Sequence, residues 1–262
     1  MQQTLGAITL NVAEGPRNGP PLVLLHGLTY SCQSFRPLLD RLMQQYHVLL
    51  PDLRGHGASS RGNRYRVSDY AEDVRALLSG LPEAAILYGH SIGALAALAV
   101  AARTPVPALV LEDPPLFYRH TAVSDTAWYP AFAWAYELTR SQLPVDVIRA
   151  RLQAQQPAAN PQALQRRAAM LKNVDPEAIR IVLDHQHMQG FELESAMAAI
   201  DCPTLLLQAD PARGAAMTDT DAAHALSHLR NATLQRIERS GHLIHASRPE
   251  AIQERLHAFL PC

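Results

Sequence analysis

The sequence predicts an α/β fold, a mostly parallel sheet covered on both faces by helices, with a helical segment inserted on one side. Three observations carry this. Runs at residues 22–25, 47–50, 85–88, 108–112 and 204–208 are mainly apolar and continuous, as strands buried on both faces are. Stretches of helix formers separate most of them. The alternation breaks at Asp113-Pro114-Pro115 and resumes only at Thr204.

Residues 5–12 alternate loosely and read as a first strand. Glycines and prolines at 15–21 mark a turn before the strand at 22–25. Residues 35–45 read as a helix, with Ser34 as its N-cap and Pro37 in its first turn. The strand at 47–50 comes next. Residues 69–79 form a helix, with Ser68 ahead of it, acids Asp69, Glu72 and Asp73 in its first turn, and Gly80 behind it. A strand at 85–88 runs into the helix formers of 94–103, and a further strand follows at 108–112. Residues 114–200 are expected to form a helical cap, set on a core of 1–113 and 201–262. The cap holds both tryptophans, Trp128 and Trp134, which either fill its own small core or face substrate. Strands at 204–208 and 232–237 and a closing helix at 248–259, opened by Pro249, complete the chain.

The 262 residues are enough to bury a substantial core, with 48% hydrophobic and 18% charged residues. A net charge of −1 offers no basic field for nucleic acid. The longest apolar run, 94–102, is too short to span a membrane, and the N-terminal residues lack the pattern of a signal peptide. Cys32, Cys202 and Cys262 are odd in number and widely spaced, which points to a reducing, cytoplasmic home. No cluster has metal-ligand spacing; His185-x-His187 comes nearest, and no metal or other cofactor is expected.

The chemistry centres on Gly89-His90-Ser91-Ile92-Gly93. This is a G-x-S-x-G motif with a strand before it and a helix after it, the context in which the pattern presents a nucleophilic serine. A serine needs a base, a group to orient the base, and donors for the oxyanion. His242, after the last strand, is the candidate base, and His245 is its competitor. The N–H groups of Ile92 and Leu28 are the candidate oxyanion donors, with Gly27 letting the backbone come close. His26 reads as a structural hydrogen-bonding residue. The acid has two candidates at strand ends, Asp210 ahead of Asp113. Glu112 should point away from its neighbour, and Asp219 and Asp221 look like capping residues. For either candidate aspartate the other reading is a turn residue.

Taken together these residues resemble the α/β-hydrolase fold family, of the esterase and lactonase type with a helical cap. His26-Gly27, the loop Asp52-Leu53-Arg54-Gly55-His56-Gly57-Ala58-Ser59, the Ser91 elbow and Gly241-His242 carry the likeness. The resemblance implies an eight-stranded sheet with the cap after the sixth strand. It also implies Ser91 as nucleophile, His242 as base, Leu28 and Ile92 as donors, and a structural role for Asp52. The chain departs from the family at Ala209-Asp210-Pro211-Ala212, where the acid comes earlier than in the usual G-x-x-D. Some relatives place it at the position matching Asp113. The expected activity is cofactor-free hydrolysis of a carboxylic ester or lactone of an apolar or aromatic small molecule, through an acyl-enzyme. Thioester hydrolysis, C–C cleavage, cyanohydrin lysis and a slow-turnover ligand receptor are the other readings of the same residues. Dehalogenation is disfavoured, since it needs a carboxylate in place of Ser91.

Overall fold

In the computed structural model, which describes residues 1–260, eight strands form one sheet. They are β1 (Gln2–Leu5), β2 (Ile8–Glu14), β3 (Pro21–Leu25), β4 (His47–Pro51), β5 (Ile86–His90), β6 (Leu109–Glu112), β7 (Thr204–Ala209) and β8 (Ala232–Ile237). Their spatial order is β1-β2-β4-β3-β5-β6-β7-β8. The first two pairings are antiparallel and the rest parallel.

Every residue of β3 to β7 is buried. Strand alternation divides their side chains between two apolar layers. Val23, Leu25, Leu87, Leu109, Leu111 and Leu206 enter one layer. Leu22, Leu24, Ile86, Tyr88, Val110, Leu205 and Leu207 enter the other. The helices α1 (Arg36–Leu42), α2 (Val67–Ser79) and α3 (Ile92–Ala101) cover the N-terminal half. Between β6 and β7 lie α4 (Tyr129–Arg140), α5 (Val145–Gln155), α6 (Pro161–Lys172), α7 (Pro176–Leu183) and α8 (Leu193–Ala198). No strand occurs in this insertion among the described residues. The chain closes with α9 (Asp219–His228), α10 (Ile244–Ser247) and α11 (Pro249–Phe259). α2 and α3 pack together and contribute to the first layer, whereas α1, α10 and α11 seal the second.

Three local expectations need correction. The strand read at 5–12 is a hairpin, with Leu5 paired to Ile8 across a two-residue turn. A period-2 pattern looks the same on both sides of so short a turn. Ser34 does not cap α1: a 3-10 turn at Cys32–Phe35 intervenes, capped by Ser31, whose hydroxyl accepts the Gln33 N–H. α2 starts two residues early, and Asp69 accepts the Arg66 N–H at 2.9 Å. Cys32 and Cys202 are free thiols, and Cys262 lies outside the described residues.

Candidate active site

Ser91 sits between the last residue of β5 and the first of α3, with φ 56° and ψ −123°. Such a backbone costs about 1–3 kcal/mol for a residue with a side chain, so the surroundings must enforce it. They do so by close packing. A Cβ at Gly93 would lie 2.3 Å from the Leu25 carbonyl oxygen, so α3 starts flush against β3 only because position 93 is glycine. The Ser91 N–H donates to the Glu112 carbonyl at 3.0 Å, tying the turn to β6. Thr29 (φ 68°) and Asp113 (φ 43°) share this left-handed strain.

The loop after β3 passes over the same spot. A Cβ at Gly27 would come within 2.6 Å of His90 Nδ1 and 3.2 Å of Ser91 Cβ. The Leu28 and Ile92 N–H groups find no protein acceptor among the described residues. His26 is fully buried; its Nε2 accepts the Leu53 N–H at 2.9 Å, which puts its proton on Nδ1, toward the Gly27 carbonyl. Burial lowers its pKa and keeps the ring neutral. The Asp52 carboxylate accepts N–H bonds from Cys32 and Ala58 and from the Asn11 side chain, so this loop is stapled to its neighbours.

His242 lies on the loop between β8 and α10. Its Nδ1 donates to Asp113 Oδ2 at 2.7 Å. The Asp113 carboxylate is fully buried and also accepts N–H bonds from Ala216 (2.8 Å), Met217 (3.2 Å) and Ala209 (3.3 Å). Those bonds hold the carboxylate in one orientation and leave the imidazole one tautomer. The His242 side chain is 18% exposed, and neither its Nε2 nor Ser91 Oγ has a hydrogen-bond partner among the described residues. Trp128 approaches the His242 ring edge-on, with centroids 4.8 Å apart. Trp134 packs against the apolar layer without a ring contact to His242.

The order given to the two aspartates is therefore reversed. Asp210 does not reach His242. It caps a 3-10 turn at Pro211–Arg213, accepting the Ala212 N–H at 3.0 Å and the Arg239 N–H at 3.0 Å. Those two backbone bonds, from Arg239 and then Ala212, hold its pKa below the usual carboxylate range. Pro211 turns the chain away, and the returning loop brings the Ala216 and Met217 N–H groups to Asp113 instead. Asp221 caps α9 with Thr218, and Asp219 pairs with Arg236 and Gln208.

Sequence reasoning missed a second acid–histidine pair. Glu112 accepts both the N–H (2.9 Å) and the Nδ1–H (2.7 Å) of His245, and the Tyr88 hydroxyl at 2.5 Å. All of these side chains are fully buried. His90 Nε2 donates to the His242 carbonyl at 3.1 Å. A Glu-Asp doublet at a strand end together with His-x-x-His after the last strand was the available signal. Arg167 was also missed: its guanidinium donates to the Thr29 carbonyl and hydroxyl and lies over the Tyr30 ring at 4.1 Å. No pattern in the sequence marks it. Among the described residues no three His, Cys, Asp or Glu side chains converge as metal ligands.

A family model described as "Alpha/beta hydrolase family" matches residues 22–255. The magnesium-chelatase 30 kDa subunit of Rhodobacter capsulatus is 46% identical over 101 residues, 37% of this chain and 35% of its own length. The 2-(acetamidomethylene)succinate hydrolase of Mesorhizobium japonicum is 40% identical over 103 residues, 38% of this chain and 37% of its own. The chain thus matches little more than a third of the length of these curated relatives. The solved enol-lactonase of Burkholderia xenovorans shares the fold, with a TM-score of 0.79 at 20% identity over 99% of each chain.

Proposed function

We propose that this chain, which belongs to the alpha/beta hydrolase family, is a cofactor-free serine hydrolase that cleaves a carboxylic ester or lactone. Ser91 attacks the carbonyl and His242 Nε2 takes its proton. Asp113 keeps the other ring proton on Nδ1 and stabilises the imidazolium that forms. The Leu28 and Ile92 N–H groups receive the oxyanion, and Ile92 opens α3, whose N-terminal dipole favours negative charge there. The proton passes from His242 to the leaving group. Water then enters by the same base and releases the acid from the acyl-enzyme.

One observation carries the reading: the 2.7 Å bond from His242 Nδ1 to a fully buried Asp113, which leaves Nε2 as the imidazole's free nitrogen. The names of two similar proteins, a succinate hydrolase and an enol-lactonase, support carbonyl-group hydrolysis. Residues 114–200 would act as a cap on the core of 1–113 and 201–262, with Trp128 forming an apolar wall beside His242. That wall suits an apolar or aromatic group next to the scissile bond.

The test is steady-state turnover of p-nitrophenyl esters of graded chain length, with lactones alongside. Ser91→Ala should lower kcat by about a thousandfold or more while leaving the circular dichroism spectrum unchanged. A variant that keeps a tenth of wild-type turnover would remove Ser91 from the mechanism. Labelling of Ser91 by a phosphonate ester without turnover of any substrate would favour a receptor built on the same residues.

A further inference from the structure

Next to the His242 loop lies a cavity of about 640 Å³. Four elements wall it: the loop after β3 with Tyr30, α1 with Arg36 and Asp40, α6 with Arg166 and Arg167, and Leu243 beside His242. Three guanidiniums and one carboxylate thus face one space. None of Arg36, Arg166, Arg167 or Asp40 forms an ion pair among the described residues. The contrast lies elsewhere in the chain, where Arg54 is paired with Asp73, Arg180 with Glu177 and Asp184, and Arg236 with Asp219.

Arg167 is the telling member. It is partly buried, and among the described residues its only protein acceptors are the Thr29 carbonyl and hydroxyl. The Tyr30 ring covers its plane at 4.1 Å. A guanidinium has five N–H donors, so three are left for another group. A cation withdrawn from water without a counter-charge is costly, and an anion that binds here removes that cost. The site is also close to the chemistry. Thr29 follows Leu28, and two residues of extended chain span at most about 7 Å. The guanidinium thus bonds the residue next to the proposed oxyanion donor.

We propose that this cavity binds a negatively charged end of the substrate, a carboxylate or phosphate a short chain away from the scissile carbonyl. Arg167 is the specificity-determining residue, and Arg166 and Arg36 supply the surrounding positive field. This rests on the hydrolase reading and adds to it: the apolar wall at Trp128 receives one side of the reacting carbonyl, and the arginines receive the charged end of the other.

Two measurements test it. The first compares kcat/KM for p-nitrophenyl butyrate and mono-p-nitrophenyl glutarate, which differ mainly in a terminal carboxylate. The glutarate should be preferred by about tenfold or more at low salt, and the preference should shrink as salt rises. Arg167→Ala and Arg166→Gln should each reduce the ratio of the two values. Arg167→Ala also releases Thr29, so a fall in both substrates by the same factor would make Arg167 a tether of the loop alone and overturn the proposal. The second measurement is calorimetric binding of glutarate and of inorganic phosphate to Ser91→Ala. Binding of either, lost in Ser91→Ala/Arg167→Ala, supports the site, and the stronger of the two names the source of the charge. If neutral esters are turned over but neither anion binds and no preference appears, the hydrolase reading stands and the anion site fails. If an anion binds but no ester is hydrolysed, the site stands and the hydrolase reading fails.

Discussion

Glu112 and Asp113 are consecutive residues at one strand end, and each holds an imidazole from the same short segment after β8. The geometry of the two bonds is nearly equal, 2.7 Å from Nδ1 to a fully buried carboxylate in both. Their surroundings are not. Alternation along the strand sends Glu112 into the apolar layer of α1, α10 and α11, where His245 stacks on Phe35 with centroids 4.4 Å apart. Asp113 turns at positive φ toward the elbow, where His242 keeps one edge open. The same kind of carboxylate–imidazole bond is therefore a structural clamp on one face and part of a candidate proton carrier on the other. Access to the second ring nitrogen makes the difference, not the strength of the acid–histidine bond.

The largest effect that would break this contrast is on turnover. Asp113→Asn should cut kcat by up to about ten-thousandfold, because an amide cannot hold the same tautomer or stabilise the imidazolium. Asp210→Asn, whose carboxylate bonds the Ala212 and Arg239 N–H groups and not His242, should cost less than about tenfold. If the two variants behave the other way round in ester hydrolysis, the 2.7 Å contact is not the working one.

The next effect is on stability. His245→Ala leaves the buried Glu112 with the Tyr88 hydroxyl and the backbone N–H at position 245 but no imidazole, and breaking a buried pair costs about 3–5 kcal/mol. Urea unfolding should show that loss, whereas Asp113→Asn should unfold nearer to wild type. Equal destabilisation by both variants would mean that the two pairs serve the same structural purpose.

The smallest effect separates histidines that have an acid from one that does not. Burial, and then the nearby His26, push the pKa of His56 down to about 3. Its Nε2 accepts the Thr29 N–H and its Nδ1 donates to the Arg54 carbonyl, so the folded ring is neutral. Below pH 6.5 the unfolded chain takes up a proton that the folded chain refuses, and stability falls until about pH 3. His56→Gln should flatten this slope by about 1.4 kcal/mol per pH unit. Glu112 works with the opposite sign of charge. Burial alone would raise its pKa, but the imidazoles of His245 and His90 hold it at about 2. Its share of stability is therefore present above the ordinary carboxylate pKa and lost only as the pH falls from about 4.5 to 2. Unfolding midpoints at each pH, read in His56→Gln and Glu112→Gln, check the two limbs separately.

Much of this architecture was legible because it depends on local pattern. Continuous apolar runs located β3 to β7, and the glycines of the elbow placed Ser91 between strand and helix. His242 was marked by its position after the last strand. The acid was not legible in the same way. Asp113 and Asp210 both end parallel strands, and the choice depends on where a loop returns. Pro211 favoured Asp210 by the argument that a fixed turn aims a side chain. The turn instead aims it at the Arg239 and Ala212 N–H groups. Nor could spacing reveal Arg167, whose partner Thr29 lies 138 residues away.

Long separations of this kind have a consequence for the order in which the molecule comes to life. The His242–Asp113 bond joins residues 129 apart, and the His90–His242 bond joins residues 152 apart. Closing such loops costs entropy that local contacts do not repay. β8 pairs with β7 over a short separation, Thr204 against Ala232, whereas β7 must find β6 across the whole insertion, Leu109 against Thr204, so the imidazole reaches Asp113 only once that gap has closed. Assembly of the Ser91, His242 and Asp113 side chains is thus expected late in refolding, timed by closure of the sheet across the insertion rather than by the first collapse of the chain.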